Sequence, residues 1–447
     1  MAAMLALLLA SHAAAASFAA MDPKAVETYS PVPMPPGFKV VNTSLDGPVF
    51  ADKRGRTLYK WPIMAMRQGY TGDPKDKSVC DDTRTTKTGG YSSPYPEGLD
   101  LPELETRKSC ATLWMPVGAV DKAKPVGEWS IVTRRDGSKQ WAYDHHPLYT
   151  SYLDRQPGDT LGGTASEQDE GGDVPAARVP VGPPPDVPPG FAVESSVLGR
   201  QLLTDKKMSV YASDHDAPDK SNCDTVCERL WRPLIAPAAA QPHGEWSVVE
   251  RAAGTRQWAF RKRPLYTYVR DLVEASLEGG DEPGWHNVYT QLAPPPPAVF
   301  STQATIMGEV LADHRGMTIY LYNCGDDSAD QLACDTPDSP QVYRLAICGN
   351  GDAERCNRQW QYVPAAADAR NASPLWSILS IVPATGREAK PGDANARPVW
   401  AYRGRPVYTY AGDALPGDYN GHQLGEWHGR RNGYTAFFLR SELFGRS

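Results

Sequence analysis

Apolar and polar positions alternate over short stretches and break at turn residues, and this pattern returns along the chain. "VFADKRGRTLYKW" (Val49 to Trp61) is a short apolar run, then an Asp-x-x-Gly turn, then residues alternating toward an aromatic end. Asp52 can start the turn with its side chain and Gly55 can supply a positive φ, so the stretch predicts a β-hairpin. "QWAYDHHPLYTSY" (Gln140 to Tyr152) predicts a second hairpin with a three-residue turn, Pro147 standing at a strand start where a missing N–H is tolerated. With Tyr143 opposite Pro147, Trp141 faces Tyr149, and Ala142 and Leu148 take the other side.

The same pattern returns twice more. "VFADKRGRTLY", "LLTDKKMSVY" and "VLADHRGMTIY" open three copies at Val49, Leu202 and Val310. "CATLWMP", "CERLWRP" and "CNRQWQY" each place Trp four residues after Cys, and "QWAYDHHPLYTSYLD", "QWAFRKRPLYTYVRD" and "VWAYRGRPVYTYAGD" close the series. Nine of the 12 tryptophans fall at equivalent places, an order that chance does not produce. The fold class expected is all-β, with three tandem repeats of about 100–150 residues, each holding two hairpin half-units. Six such units admit a propeller-like ring; three β domains on proline linkers are the competing picture.

The boundaries that follow are repeat one over 35–163, an acidic and then proline-rich linker over 164–187, repeat two over 188–293, a proline linker over 294–297 and repeat three over 298–447. Residues 1–20 form an apolar stretch followed by small residues, the pattern of a secretory signal, although no Lys or Arg precedes it. No later apolar run approaches the roughly 20 residues of a transmembrane helix. The formal net charge of -7 leaves no basic footprint for nucleic acid or anionic lipid.

Eight cysteines in a chain bound for an oxidising compartment predict disulfides. Position within the repeats pairs Cys80 with Cys110, Cys223 with Cys227 and Cys334 with Cys356, leaving Cys324 with Cys348. A metal or redox site at Cys223-x-x-x-Cys227 is the rival reading, but the other copies spread the same cysteines far apart and no His follows at ligand spacing. The repeated tryptophans read as core, since each small unit must rebuild one. Trp61, Trp285 and Trp427 fall outside the repeated set and are therefore the surface candidates for ligand-binding aromatics.

Catalytic signatures are missing: there is no Gly-x-Ser-x-Gly, phosphate loop, His-Glu-x-x-His or dinucleotide fingerprint. Asp52, Asp205 and Asp313 recur where a turn needs an Asx side chain, and Asp154, Asp271 and Asp413 recur in a loop after the last strand, without the dense ligand spacing of a calcium loop. His145 and His146 suggest a metal, but the other copies carry Arg261-Lys262-Arg263 and Arg403-Gly404-Arg405 there. No catalytic residue, metal or cofactor is assigned.

"GRTLYKW", "MTIYLY", "CERLWRP" and "RQWAFRKRPLYTYVRD" together resemble a family of bacterial secreted proteins and lipoproteins, the secreted repeat of unknown function with a Tyr-x-aromatic-x-x-Asp motif. This chain departs from the motif: Tyr59-Lys60-Trp61 lacks the Asp, Tyr211 reaches Asp216 past Ser213, and Tyr320-Leu321-Tyr322 runs on to Gly325; the lipid-attachment Cys of many members is absent. The resemblance implies location and architecture and transfers no catalytic residue. The expectation is a secreted, periplasmic or extracellular, disulfide-stapled module that binds an envelope glycan, peptide or protein or serves structurally. A periplasmic metal- or redox-handling protein is the alternative.

Overall fold

The computed structural model describes residues 22–66, 69–84, 108–162, 178–251, 254–324, 334, 339–349, 352–426, 428–429 and 431–441. The expected signal segment, most of the acidic linker and Trp427 lie outside these residues. The fold is nearly all β, in small antiparallel sheets of two to five strands. Among the described residues no helix is long and apolar enough to cross a membrane.

Each repeat contains three unlike sheets, and repeat one adds a two-stranded ribbon of Met64–Met66 and Gly69–Thr71. In repeat two an opening sheet joins Phe191–Ser196, Gly199–Thr204 and Tyr289–Leu292. A tyrosine sheet runs in the order Trp231–Pro233, Tyr266–Tyr268, Tyr211–Ser213, Trp285–Asn287. A tryptophan hairpin pairs Trp246–Glu250 with Arg256–Phe260 and then Arg263–Pro264. Repeats one and three have the same sheets around Tyr59 and Tyr320.

The opening turn forms as expected: Asp52 accepts from the N–H groups of Arg54 and Arg56, and Gly55 has φ 87°. Its two arms, however, do not build one sheet. Pro48–Ala51 pairs upstream with Lys39–Asn42, and Tyr59–Lys60 joins the tyrosine sheet; a bridge between Ala51 and Thr57 links the two. The arms diverge because Phe50 and Tyr59 belong to different cores.

The second hairpin is displaced by one residue from the expected register. Tyr143 pairs with His146 and Ala142 with Pro147, across a two-residue turn. Both central residues are left-handed in every copy: Asp144 and His145 at 47° and 64°, Arg261 and Lys262 at 48° and 65°, Arg403 and Gly404 at 47° and 74°. This is the tight turn whose twist matches that of its strands. Since a one-residue slip exchanges faces, Trp141 packs with Leu148, and Tyr149 goes to the other core.

Two cores per repeat result. One gathers Phe38, Trp129 and Trp141, with Phe38 to Trp129 centroids 4.7 Å apart; Phe191 and Trp246 repeat this at 4.7 Å, and Phe300 and Trp376 at 5.1 Å. The other holds the tyrosine sheet, the Trp that follows Cys, and the disulfides. The Cys-to-Trp spacing is one helical turn: the N–H of Trp114 donates to Cys110 O and that of Trp360 to Cys356 O.

The proline-rich end of the expected linker belongs to repeat one. Val179 and Pro180 pair with Lys60 and Tyr59 as the edge of the tyrosine sheet, the position where proline is tolerated. Beyond it, Ser30 N–H donates to Pro184 O, and Asp186 N–H to Thr28 O. The repeats also grip one another. Between one and two, Gln291 Nε2 donates to Thr43 O at 2.6 Å, and ahead of repeat one buried Glu27 accepts from Arg200 Nε at 2.9 Å and Thr290 Oγ1 at 2.6 Å, both of repeat two. Arg403 of repeat three donates to Asp46 and to Thr160 O of repeat one, both at 3.1 Å, and Leu45 enters the core around Trp376. Arg440 of repeat three binds Asp281 of repeat two. Among the described residues, contacts therefore run between each pair of repeats.

Cys80–Cys110 and Cys223–Cys227 pair as expected, but repeat three has Cys324–Cys334 and Cys348–Cys356. Two helices, Ser339–Cys348 and Ala353–Gln359, stand between the strand Tyr320–Asn323 and Trp360, and their fold-back brings Cys348 and Cys356 to a Cα separation of 5.4 Å. Counting along the chain could not foresee that hairpin. Non-reducing peptide mapping of the purified protein should give the Cys324–Cys334 and Cys348–Cys356 peptides; a Cys334–Cys356 peptide would contradict the fold of this repeat.

Candidate functional site

One node recurs in all three repeats. The hydroxyl of Tyr59 donates to Asp154 at 2.9 Å, that of Tyr211 to Asp271 at 2.9 Å and that of Tyr320 to Asp413 at 2.7 Å. A glycine N–H returns to the same oxygen, from Gly162 and Gly421 at 3.2 Å and from Gly279 in repeat two. These glycines are required for space: a Cβ would stand 2.6 Å from Trp114, 2.9 Å from Trp231 and 2.6 Å from Trp360. They belong to no expected motif, although each lies eight residues after its aspartate (162 - 154, 279 - 271, 421 - 413). The constant interval was the available signal. Asp154, Asp271 and Asp413 are thus fastened to tyrosines, while Asp52 and Asp313 serve turns; in repeat two the turn acceptor is Thr204 and not the expected Asp205, because that turn is one residue shorter.

A second carboxylate sits behind the node. Asp73, fully buried, accepts from Tyr149 Oη at 2.7 Å and from Val79 N–H at 2.8 Å. Arg134 links Ser78, Gln140 and Cys80 O alongside it. Repeat two reproduces this with Asp216, Tyr266, Ser221 and Arg251. Repeat three substitutes an amide: Tyr408 donates to Gln341, beside the fully buried Arg344. Burial pushes the Asp73 carboxyl up to about 6 and that of Asp154 up to about 7, against the hydrogen bonds that favour their charged forms; burial also raises Asp216 and Asp413. Such values suit proton transfer. Yet these oxygens are occupied by tyrosine hydroxyls and backbone N–H groups within the core, so their role here is structural.

The tryptophan of each node is covered by a different group. Trp231 lies between Tyr268 at 4.4 Å and Trp285 at 3.6 Å, and Trp360 between Tyr410 at 4.4 Å and Tyr434 at 3.5 Å. Over Trp114 stands Arg178, which also covers Trp61 at 4.0 Å. Trp61 and Trp285 are only 3% and 7% exposed, so the surface position expected for them is corrected to the core. Trp285 fills the space over the repeated Trp231, whereas in repeat one Arg178 fills it and Trp61 packs against Arg178.

The hairpin tips carry individual contacts. His145 meets Asp76 at 3.0 Å at the surface, while Arg261 binds Glu245 and Arg403 joins two repeats. Among the described residues no three His, Cys, Asp or Glu side chains converge as a metal site, and all eight cysteines are in disulfides. The metal- or redox-handling alternative has no free thiol to use.

A cleft of about 550 Å³ in repeat three is lined by Phe300, Tyr362 and Trp400 and by the exposed His314, Arg315 and Arg397. That volume is within the range of small-molecule sites, roughly 300–1,000 Å³.

Repeated β frames, disulfide staples and internally satisfied polar nodes define a class of tandem-repeat protein. Two segments, 130–164 and 395–429, match the family described as a secreted repeat of unknown function. Each segment carries the second Trp of the hairpin, the Tyr strand, the Asp and the Gly of one node, and repeat two has the same node between them. No curated protein and no solved structure matches the chain.

Two tests address the nodes. Gly421→Ala should destabilise by about 1–3 kcal/mol through overpacking against Trp360, read as a lower denaturant midpoint, whereas exposed Gly118, where a Cβ meets nothing within 4 Å, should tolerate Ala. For Asp73 the folded value of about 6 stands above the unfolded value near 3.9. Its contribution is then fully present below about pH 4 and is lost as pH rises through about 6. Asp73→Asn, which places an amide where repeat three has that of Gln341, should remove this dependence. The melting temperature of the wild type relative to the variant should therefore fall between pH 4 and pH 7, and a constant difference would refute the assignment.

Proposed function

We propose that this protein is a secreted binding or structural module of the bacterial cell envelope, working outside the cytoplasm in the periplasm or beyond. One observation carries the reading: the residues repeated three times are consumed by the frame, in hydrogen bonds and aromatic contacts that bury them. Function then belongs to what is not repeated. The disulfides support an oxidising location, and the family match supports secretion.

The test is retention of the purified mature protein on isolated envelope polymers, using peptidoglycan sacculi, lipopolysaccharide and envelope protein fractions, together with native mass spectrometry. Saturable retention on one fraction, and a metal-free mass eight hydrogens below that of the reduced chain, are expected. Stoichiometric metal with free thiols and no retention would overturn the reading in favour of metal handling.

A further inference from the structure

The cleft in repeat three is made by what that repeat adds to the frame. The two hairpin tryptophans are 12 residues apart in repeats one and two (141 - 129, 258 - 246) and 24 apart in repeat three (400 - 376). The added residues lengthen the hairpin to Trp376–Val382 and Arg397–Tyr402, with Arg387–Glu388 as an extra strand. Pro383 and Arg397, at the two ends of this addition, line the cleft, as does Asn357 from the helix Ala353–Gln359. The aromatic lining, by contrast, comes from frame positions: Phe300 packs on buried Trp400 at 5.9 Å as Phe38 does on Trp141 in repeat one.

The lining has a definite chemistry. Asp313 is the acidic residue of the lining, and its oxygens are taken by the N–H groups of Arg315 and Met317 and by the Arg315 guanidinium at 2.9 Å. Arg397 is exposed and makes no ion pair among the described residues, and His314 is an exposed residue of the same lining. A chain of net charge -7 therefore presents the exposed Arg397 guanidinium beside an aromatic lining, with the exposed amide of Gln361 in the same cleft. Flat apolar faces receive the C–H face of a sugar ring, amides receive its hydroxyls, and a guanidinium receives a carboxylate.

We propose that this cleft binds an acidic saccharide, with the sugar ring against the partly exposed Phe300 and Tyr362, Trp400 packed behind them in the core, and its carboxylate at Arg397. The inference deepens the envelope-binding reading and rests on it for the ligand's source.

The experiment titrates full-length mature protein with trigalacturonate, its methyl ester and N-acetylmuramic acid, by calorimetry and tryptophan fluorescence. Saturable binding of a free acid is expected, weakened at least about tenfold by esterification or by Arg397→Gln, the scale of one charge-assisted hydrogen bond. Arg370→Gln, a surface change in the same repeat outside the cleft lining, should leave binding unchanged. Because Arg397 is exposed, its substitution should leave the unfolding midpoint intact, which separates lost binding from lost fold. Absence of binding by both free acids, or binding indifferent to Arg397→Gln, overturns the cleft assignment. Retention on envelope polymers that survives Arg397→Gln would leave the general reading standing while sinking this one. Arg397-dependent binding of a free acid without retention on any polymer would do the reverse.

Discussion

The structure depends on a tyrosine hydroxyl that cannot be left alone in the core. Tyr59, Tyr211 and Tyr320 are all fully buried, and a buried hydroxyl without a partner costs about 1–3 kcal/mol. An aspartate answers each one, and the aspartate in turn takes a backbone N–H, from Leu161 in repeat one and Asn420 in repeat three. The loop after the last tyrosine strand must therefore fold back over the sheet. As it does so, its glycine slides under the indole ring, where no side chain fits. One hydrogen bond thus orders a loop, seats a tryptophan and closes the tyrosine core.

Around that lock, small sheets with little to bury use everything available. The disulfides lie in the tyrosine core, each contributing on the order of 2–4 kcal/mol, while the tryptophan hairpin packs its own aromatic cluster. Polar joints then fix the repeats to one another. Glu27 and Arg403 are buried charges with partners across a repeat boundary, so losing either partner would strand a charge away from water. These contacts set mutual position through geometry that hydrophobic packing alone would leave loose.

Variation is confined to places the lock does not reach. The ring over the repeated Trp is replaced by Arg178 in one copy, the second carboxylate by Gln341 in another, and the hairpin lengthens in repeat three. The frame tolerates these exchanges because each preserves either a flat group against the indole or an acceptor for the tyrosine. What is added in repeat three brings exposed Arg397 to a cleft beside the aromatic core.

The sequence by itself determined the three copies, the all-β class and the nine repeated tryptophans as core, because each is a pattern that every copy must restate; the turn chemistry of Asp52 and Gly55 was legible too, although in repeat two Thr204 and Lys207 take those places. It also held the Asp-to-Gly interval of the node in plain view. It could not determine the hairpin register, since "DHH" serves a two- or three-residue turn equally well until the twist of the strands selects two left-handed residues. Nor could it determine the cysteine pairing of repeat three, which depends on two helices folding back, or the place of Val179 and Pro180, whose composition suits a linker and an edge strand alike. Trp61 and Trp285 looked free because they lacked repeated partners. Only the tertiary structure could show that different groups, an aromatic ring or a guanidinium, occupy one space over the same indole, because that equivalence is one of shape and not of residue type.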